Sequence, residues 1–180
     1  MSTGQVRIVR CGLRDARVIA EIGRKTFIET YADQTSAEDM REHLVQAYSP
    51  DRLEAELSQP DSSFFIARVD DAIAGYLKVN RGKAQTELRG HSGLEIESLY
   101  VVQAFQGQGI GKLLLAKALE EARRAGADYI WLGVWERNAP ARRFWRRMGF
   151  AQFGSHAFRF GGVEHTDLMM RRELEPNSSR

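Results

Sequence analysis

The chain has 180 residues, of which 43 % are hydrophobic and 28 % are charged, as expected for one globular domain with a sizeable core. These proportions exclude an intrinsically disordered chain, and no apolar run approaches the roughly 20 residues that span a membrane. The formal net charge is only +2, so the overall balance favours neither an anionic nor a cationic partner.

The first half of the chain changes from helical to strand-like periodicity near Phe64. Apolar residues recur at spacings of three and four before this point, and they alternate with polar residues after it. The predicted elements are a strand over residues 6–10, helices from about residue 15 onwards, over 36–48 and over 51–57, and strands over 64–69 and 72–80. A polar, glycine-containing loop is expected over residues 81–93.

The second half alternates strands with amphipathic helices. Strands are predicted over residues 94–102 and 128–134, and helices over 109–125 and 138–148. Two further strands, over 151–160 and 164–173, close the domain. No internal repeat or linker divides the chain. We therefore expect one α/β domain over residues 1–174, followed by a frayed tail over residues 175–180.

A glycine-rich turn leads directly from a strand into a helix at Gln106-Gly107-Gln108-Gly109-Ile110-Gly111-Lys112. The unpaired N–H groups of a first helical turn attract anions, and glycines let a phosphate approach the backbone. The phosphate-loop pattern fits less well, because it needs Ser or Thr where Leu113 stands. The dinucleotide fingerprint also fits less well, because it expects this turn near the start of the fold.

Two segments together resemble the GNAT superfamily of N-acetyltransferases. Gln106-x-x-Gly109-x-Gly111 after a Leu-Tyr-Val strand is similar to the acetyl-CoA-binding motif of that family. Residues 138–150 resemble the family's helix beside the cofactor thioester. The resemblance implies the GNAT fold, in which helices flank a mixed, mostly antiparallel central sheet. It also implies acetyl-CoA as the cofactor.

Further segments resemble the bacterial PaiA-type spermidine/spermine N-acetyltransferases. They are residues 26–31, 33–34, 94–97, 131–136, 154–156 and 164–170. This resemblance implies direct transfer of an acetyl group to a primary amine of a small-molecule polyamine. Two alternatives stay open: an acetyltransferase for peptide or protein amines, and a catalytically weak acetyl-CoA-binding regulatory protein.

The resemblance also implies which residues hold the cofactor. The backbone of Leu99, Tyr100 and Val101 is expected to pair with the pantetheine arm, and the amides of residues 107–112 are expected to bind the diphosphate. The expected cofactor-binding residues are Leu99, Tyr100, Val101, Gln106, Gly107, Gln108, Gly109, Ile110, Gly111, Lys112, Asn138 and Trp145. Asn138 is equally a helix N-cap by its position, and Trp145 is equally a core aromatic residue.

Two proton transfers are needed for the implied reaction. A primary amine with a pKa near 10 is on the order of one part in a thousand free base at neutral pH, so it must lose a proton. Glu95 and Glu97, two apart on a strand, are expected to receive that proton, although an exposed strand face explains them equally well. Trp145 stands where the family usually has the tyrosine that protonates the leaving thiolate. Tyr100, another tyrosine or solvent would then do so.

The acceptor pocket is expected to combine aromatic rings with polar groups. The candidates are Phe27, Glu29, Tyr31, Tyr76 and His156, which would bind the charged amines and alkyl stems of a polyamine. The alternative for residues 27–33 is an ordinary capped helix end, and for His156 it is a structural histidine. No metal-ligand spacing is evident, so no metal is expected.

The remaining features favour a cytoplasmic protein without a membrane or nucleic-acid partner. Cys11 is the single cysteine and has no basic neighbour that would activate it, and no signal sequence precedes the first strand. Arginines cluster over residues 123–147. They predict a basic rim beside a polyanionic ligand, because no RNA-binding or helix-turn-helix pattern accompanies them. The oligomeric state stays open, a homodimer being one alternative.

Overall fold

A computed structural model describes residues 4–87 and 92–176 of the chain. Within these residues, seven strands and five α-helices form, and their ends lie within a few residues of the predicted ones. In chain order the elements are β1 Val6–Arg10, α1 Ala16–Tyr31, α2 Ala37–Ala47, α3 Pro50–Leu57, β2 Ser62–Val69, β3 Ala72–Asn80, β4 Gly93–Val101, α4 Ile110–Arg124, β5 Tyr129–Trp135, α5 Ala139–Arg147, β6 Ala151–Phe160 and β7 Val163–Glu173.

The strands form one sheet in the order β1-β2-β3-β4-β5-β7-β6. Strands β4 and β5 are parallel, and every other neighbouring pair is antiparallel. The expected mixed, mostly antiparallel sheet flanked by helices is therefore confirmed.

The two parallel strands pair only at their first residues. Gly93 lies opposite Tyr129, Leu94 opposite Ile130 and Glu95 opposite Trp131, and no later pair joins β4 to β5 in the part of the chain that the structure describes. We call the gap between β4 after Glu95 and β5 after Trp131 the fork. Backbone groups that face the fork have no ladder partner across it.

Strand β4 contains a bulge that the sequence did not predict. Its register against β3 shifts by one residue at Glu97, which has no opposite residue. Leu94 and Ile96 pack into the core that includes α4, and so do Leu99 and Val101 after the bulge. The apolar face of β4 thus changes from even to odd positions at Glu97.

Helices cover both faces of the sheet because β2 buries alternate residues on opposite sides. Phe65 and Ala67 pack into the core that contains α4. Phe64 and Ile66 pack against α1 and α3 on the other face. Helices that pack on opposite faces of the sheet can in this way bury both sides of one strand.

The deviations from the predicted ends have local causes. Helix α4 begins at Ile110 because Gly109 is its N-cap with a φ of 81°, a left-handed conformation that favours glycine. Asn138 is the N-cap of α5, where its side chain accepts a hydrogen bond from the N–H of Ala141. The predicted loop contains a short 3-10 turn over Gly82–Ala84. Residues 88–91 of that loop and residues 177–180 of the predicted tail lie outside the described residues.

Of the helices in residues 4–87 and 92–176, none combines the length and the apolar character needed to cross a membrane.

Candidate active site

A cleft of about 680 Å³ lies between the C-terminal half of α1, the end of β4, the start of α4 and helix α5. All the residues predicted to bind the cofactor line it except Gln108, which lies in the same turn. The strand-to-helix turn and the α5 segment, separated in sequence, therefore form two walls of one cleft.

The glycine-rich turn presents an open backbone to this cleft. Gly107 and Gly109 have φ angles of 77° and 81°, and a Cβ built on either would meet no atom within 4 Å. Within the described residues, no carbonyl accepts a hydrogen bond from the N–H groups of residues 109–112, the first turn of α4. Lys112 and Arg147 also line the cleft and add positive charge. The turn can therefore bind an anion.

Two side chains fix the walls of the cleft. The Gln106 amide Nε2 donates a hydrogen bond to the carbonyl of Val101 over 3.1 Å, which holds the turn against the end of β4. The Oδ1 atom of Asn138 accepts from the N–H of Ala141 over 3.2 Å. The predicted N-cap role of Asn138 is confirmed, and its side chain still borders the cleft.

Trp145 joins the hydrophobic core to the cleft. Only 6 % of this residue is exposed, and its ring meets those of Phe144 and Phe150 edge-on, with centroids 4.9 and 5.0 Å away. The core interpretation is therefore confirmed. Because Trp145 also lines the cleft, packing over a bound ligand stays a prediction.

Glu95 is deeply buried and bound by hydrogen-bond donors. Only 3 % of the residue is exposed, and its carboxylate accepts from the N–H of Thr86 at 2.8 Å, from the Thr86 hydroxyl and from Asn80 Nδ2 at 3.1 Å. Burial raises the pKa of this carboxyl, and the bonds from Thr86 and Asn80 offset only part of that effect. Neither Glu95 nor Glu97 lines the cleft, so the catalytic role of each stays a prediction.

Glu97, at the bulge, is more accessible and is paired with a cation. Its side chain is 32 % exposed, and its Oε2 atom lies 2.6 Å from both Lys78 Nζ and Asn80 Nδ2. Lys78 also contacts Glu56 at 2.8 Å, and its side chain is only 9 % exposed. Burial acts to lower the pKa of Lys78, but the two carboxylates outweigh it and raise that pKa. At the bulge, Glu95 and Glu97 therefore both accept a hydrogen bond from Asn80.

Tyr100, near the end of β4, lines the cleft. Its ring stacks on that of buried Tyr76, with centroids 5.9 Å apart and planes at 21°. Burial raises the pKa of Tyr100, although hydrogen bonding with Tyr31 opposes this. The phenol therefore keeps its proton at neutral pH and can act as a donor.

The predicted acceptor residues Phe27 and Tyr31 belong to a cluster of rings at the end of α1. We call Phe27, Tyr31, His43, Trp135 and Phe160 the aromatic cluster. The centroid of Phe27 lies 4.3 Å from that of His43 and 4.5 Å from that of Tyr31. Tyr31 contacts Trp135 of β5, with centroids 5.2 Å apart. The cluster therefore joins α1 to the far side of the fork.

Glu29 and His156 lie in different places. Glu29 lines the cleft, and its Oε2 atom accepts the backbone N–H of Gln103 at 2.9 Å. His156 is on β6, where its Nδ1 atom lies 2.8 Å from Oε1 of Glu87. The structure thus distributes the predicted acceptor residues among the cleft, the aromatic cluster, strand β6 and, for the buried Tyr76, strand β3. Their roles in binding stay predictions.

Residues 25–150 match the model of a family described as the acetyltransferase (GNAT) family. The chain belongs to this GNAT family. An uncharacterised N-acetyltransferase encoded in the pepI 3' region of Lactobacillus delbrueckii subsp. lactis is 37 % identical over 94 % of this chain and 98 % of its own. An uncharacterised N-acetyltransferase of Mycobacterium tuberculosis is 30 % identical over 90 % of this chain and 99 % of its own.

The crystal structure of the PaiA N-acetyltransferase from Thermoplasma acidophilum in complex with coenzyme A has the same fold. Its TM-score is 0.77 at 22 % identity, with 94 % of this chain and 99 % of that one covered. Membership of the GNAT family identifies the chain as an N-acetyltransferase and acetyl-CoA as its cofactor.

Several residues that line the cleft of this GNAT enzyme were not predicted. They are Thr26, Thr30, Gln103, Phe105, Pro140, Ala141, Phe144 and Arg147. The polar residues of α1 had a readable signal, because Thr26, Glu29 and Thr30 recur at spacings of three and four on one helix face. Asp167, on β7 beside the aromatic cluster, was also not predicted to belong to the site.

Metal ligands and the cysteine thiol also bear on the chemistry of the GNAT enzyme. Among the described residues, no three of His, Cys, Asp and Glu come together in a way that could hold a metal ion. Burial raises the pKa of the half-buried Cys11 thiol to about 12. At neutral pH this residue is therefore a thiol rather than a nucleophilic thiolate.

Proposed function

We propose that this GNAT enzyme transfers the acetyl group of acetyl-CoA directly to a primary amine of a polyamine such as spermidine or spermine. The supporting observation is the combination of rings and carboxylates near the fork, where Tyr31 of the aromatic cluster is hydrogen-bonded to Tyr100 and the charges of Asp167 and Glu97 act on Tyr100. A polyamine joins several ammonium groups by alkyl stems. Carboxylates bind the ammonium groups, and aromatic faces bind the stems.

The residues of the cleft fit the cofactor. The free N–H groups at the start of α4 would bind its diphosphate, because a side chain at 107 or 109 would fill the space through which a phosphate approaches. The fork leaves backbone groups near Leu99–Val101 unpaired toward β5, where they would bind the amides of the pantetheine arm. When bound, acetyl-CoA supplies the acetyl group as an activated thioester.

Glu97 is the better placed of the two glutamates to take the proton of the amine. It is one-third exposed, whereas Glu95 is buried and its carboxylate already accepts three hydrogen bonds. Asn80 donates to both carboxylates and so couples them. We propose that Glu97 receives the proton, directly or through water, and that Glu95 supports it through Asn80.

Tyr100 is the proposed proton donor to the departing thiolate. The residue lines the cleft, and its raised pKa keeps the phenol protonated. Trp145 lines the same cleft, but an indole N–H donates a hydrogen bond without giving up its proton. We propose that Trp145 packs over the cofactor while Tyr100 supplies the acid.

A panel of amines tests this proposal. Purified enzyme and acetyl-CoA are incubated with diamines, spermidine, spermine and lysine-containing peptides, and release of CoA is measured for each. Turnover should be highest with spermidine or spermine, and the Gly109→Trp variant serves as the blank. Preference for lysine peptides would overturn the polyamine assignment in favour of a peptide acceptor. Tight binding of acetyl-CoA without release of CoA for any amine would favour a regulatory protein.

A further inference from the structure

Asp167 lies on β7, between the C-terminal end of β5, which borders the fork, and strand β6. It is opposite Trp135 of β5 on one side and opposite His156 of β6 on the other. Its Oδ2 atom lies 3.4 Å from the position that a Cβ on Gly133 would take. The neighbours of Gly133 in β5, Leu132 and Val134, pack into the core with α4, so Gly133 and Asp167 face the opposite side.

The carboxylate of Asp167 lacks a hydrogen-bond or ion-pair partner among the described residues. In residues 4–87 and 92–176 no side chain or backbone group forms a hydrogen bond or ion pair with it, whereas Glu29, Glu95 and Glu97 are all bonded. Burial raises the pKa of Asp167, and nearby His156 and His165 offset only part of that effect. A half-buried carboxylate without a partner lowers stability, and such groups are concentrated at binding sites.

A second polar group without a partner lies on the neighbouring strand. Trp135 is only 4 % exposed, and its buried Nε1 atom has no hydrogen-bond partner within the part of the chain that the structure describes. Its ring contacts Tyr31, and the charge of Asp167 acts on the hydroxyl groups of both Tyr31 and Tyr100. The Asp167 carboxylate and the Trp135 Nε1–H thus both lack partners among the described residues, which indicates that a bound ligand supplies contacts at this site.

We propose that Asp167 binds an ammonium group of the amine acceptor beside the fork and thereby selects cationic amines. A carboxylate next to aromatic faces is the environment that an alkylammonium group prefers. Gly133 leaves room beside the carboxylate, since any larger side chain would stand against Oδ2. This role rests on the proposed acetylation of amines, but it does not depend on which glutamate takes the proton.

The test compares three variants with the wild type in the same assay. Asp167→Asn keeps the shape of the side chain and removes its charge, Asp167→Glu restores the charge, and Glu173→Gln removes a charge from an exposed position of the same strand. We expect Asp167→Asn to raise KM for spermidine at least tenfold while KM for acetyl-CoA stays within twofold. Asp167→Glu should recover part of the affinity, and Glu173→Gln should match the wild type.

Two results would overturn the proposal. One is a spermidine KM in Asp167→Asn within twofold of the wild type, and the other is an equal increase in Asp167→Asn and Glu173→Gln, which would show a general charge effect. Failure of the polyamine assignment is a separate result. If the wild type prefers another cationic amine, the three variants are assayed with that amine, and the same criteria apply.

Discussion

The carboxylate of Glu29 accepts a hydrogen bond from the backbone N–H of Gln103 over 2.9 Å. This bond joins α1 to the turn that follows β4, two segments that are far apart in the sequence. The same turn continues through Gln106, whose side chain holds it to Val101. The wall that faces the start of α4 is therefore fixed by two hydrogen bonds before any ligand binds, which lowers the entropic cost of binding.

Gly109→Trp should abolish binding of coenzyme A. The new side chain would project into the open space through which a phosphate approaches the first turn of α4. Gly126→Trp is a matched control, because Gly126 also has a positive φ and open surroundings but lies at the other end of α4. Each variant should lose about 1 kcal/mol of folding stability. Isothermal titration should show that only Gly126→Trp keeps wild-type affinity, and equal affinity in both variants would sink the assignment of the anion site.

Replacing both Glu95 and Glu97 by Gln should lower kcat/KM mainly below about pH 8, where free amine is scarce. Glu97→Gln alone should show most of the loss, because Glu97 is the more accessible carboxylate. Glu54→Gln, exposed on α3, is the control. The measurement is a pH–rate profile with spermidine. A double variant with an unchanged profile would mean that neither carboxylate takes part in proton transfer.

Tyr100→Phe should lower kcat by about a hundredfold or more and leave the affinity for coenzyme A unchanged. Since burial raises the pKa of Tyr100 above its ordinary value of 10.0, the wild type should stay active on the alkaline side until the phenol ionises. Tyr129→Phe, at the start of β5, controls for the loss of a hydroxyl group elsewhere. Steady-state rates with saturating acetyl-CoA separate the outcomes. A wild-type kcat in Tyr100→Phe would assign the proton to solvent or to another residue.

Lys78→Met should destabilise the fold by about 3 kcal/mol, because it leaves Glu56 and Glu97 without their shared cation. Burial acts to raise the pKa of Glu56, but Lys78 and Arg52 outweigh it and lower that pKa. The pair therefore stabilises the protein above the ordinary carboxyl pKa of 4.5, and this stability is lost as the pH falls through the folded value.

Urea unfolding at several pH values measures this effect of Lys78. The variant should lose the part of the acid-side slope that comes from Glu56. Adding Glu56→Gln to Lys78→Met should recover some stability. If the single variant were as stable as the wild type, the buried ion pairs would contribute nothing to folding.

The parts of the site that are local in sequence could be predicted. The glycine-rich turn is one example, because strand, turn and helix follow one another directly, and the N-cap at Asn138 is another. Both depend on contacts between residues a few positions apart. The cleft residues of the glycine-rich turn were therefore identified almost completely, whereas in the α5 segment only Asn138 and Trp145 were identified.

The parts that depend on strand order could not be predicted. The bulge at Glu97 is a property of the pairing of β3 with β4, and a single strand carries no sign of it. Asp167 comes next to Trp135 and His156 only because β7 lies between β5 and β6. Alternation along β7 reveals that this aspartate shares a face with other residues, but not which strands flank it.

The separation of β4 from β5 divides the sheet into a four-stranded and a three-stranded part, joined by three residue pairs. This seam is the place where the least main-chain bonding resists an opening motion. Acetyl-CoA bound across this seam would act like an added strand, and the melting temperature should rise with acetyl-CoA concentration. Amides of β5 beyond Trp131 should then exchange with solvent more slowly. In this enzyme the stability of the fold would therefore rise and fall with the concentration of acetyl-CoA.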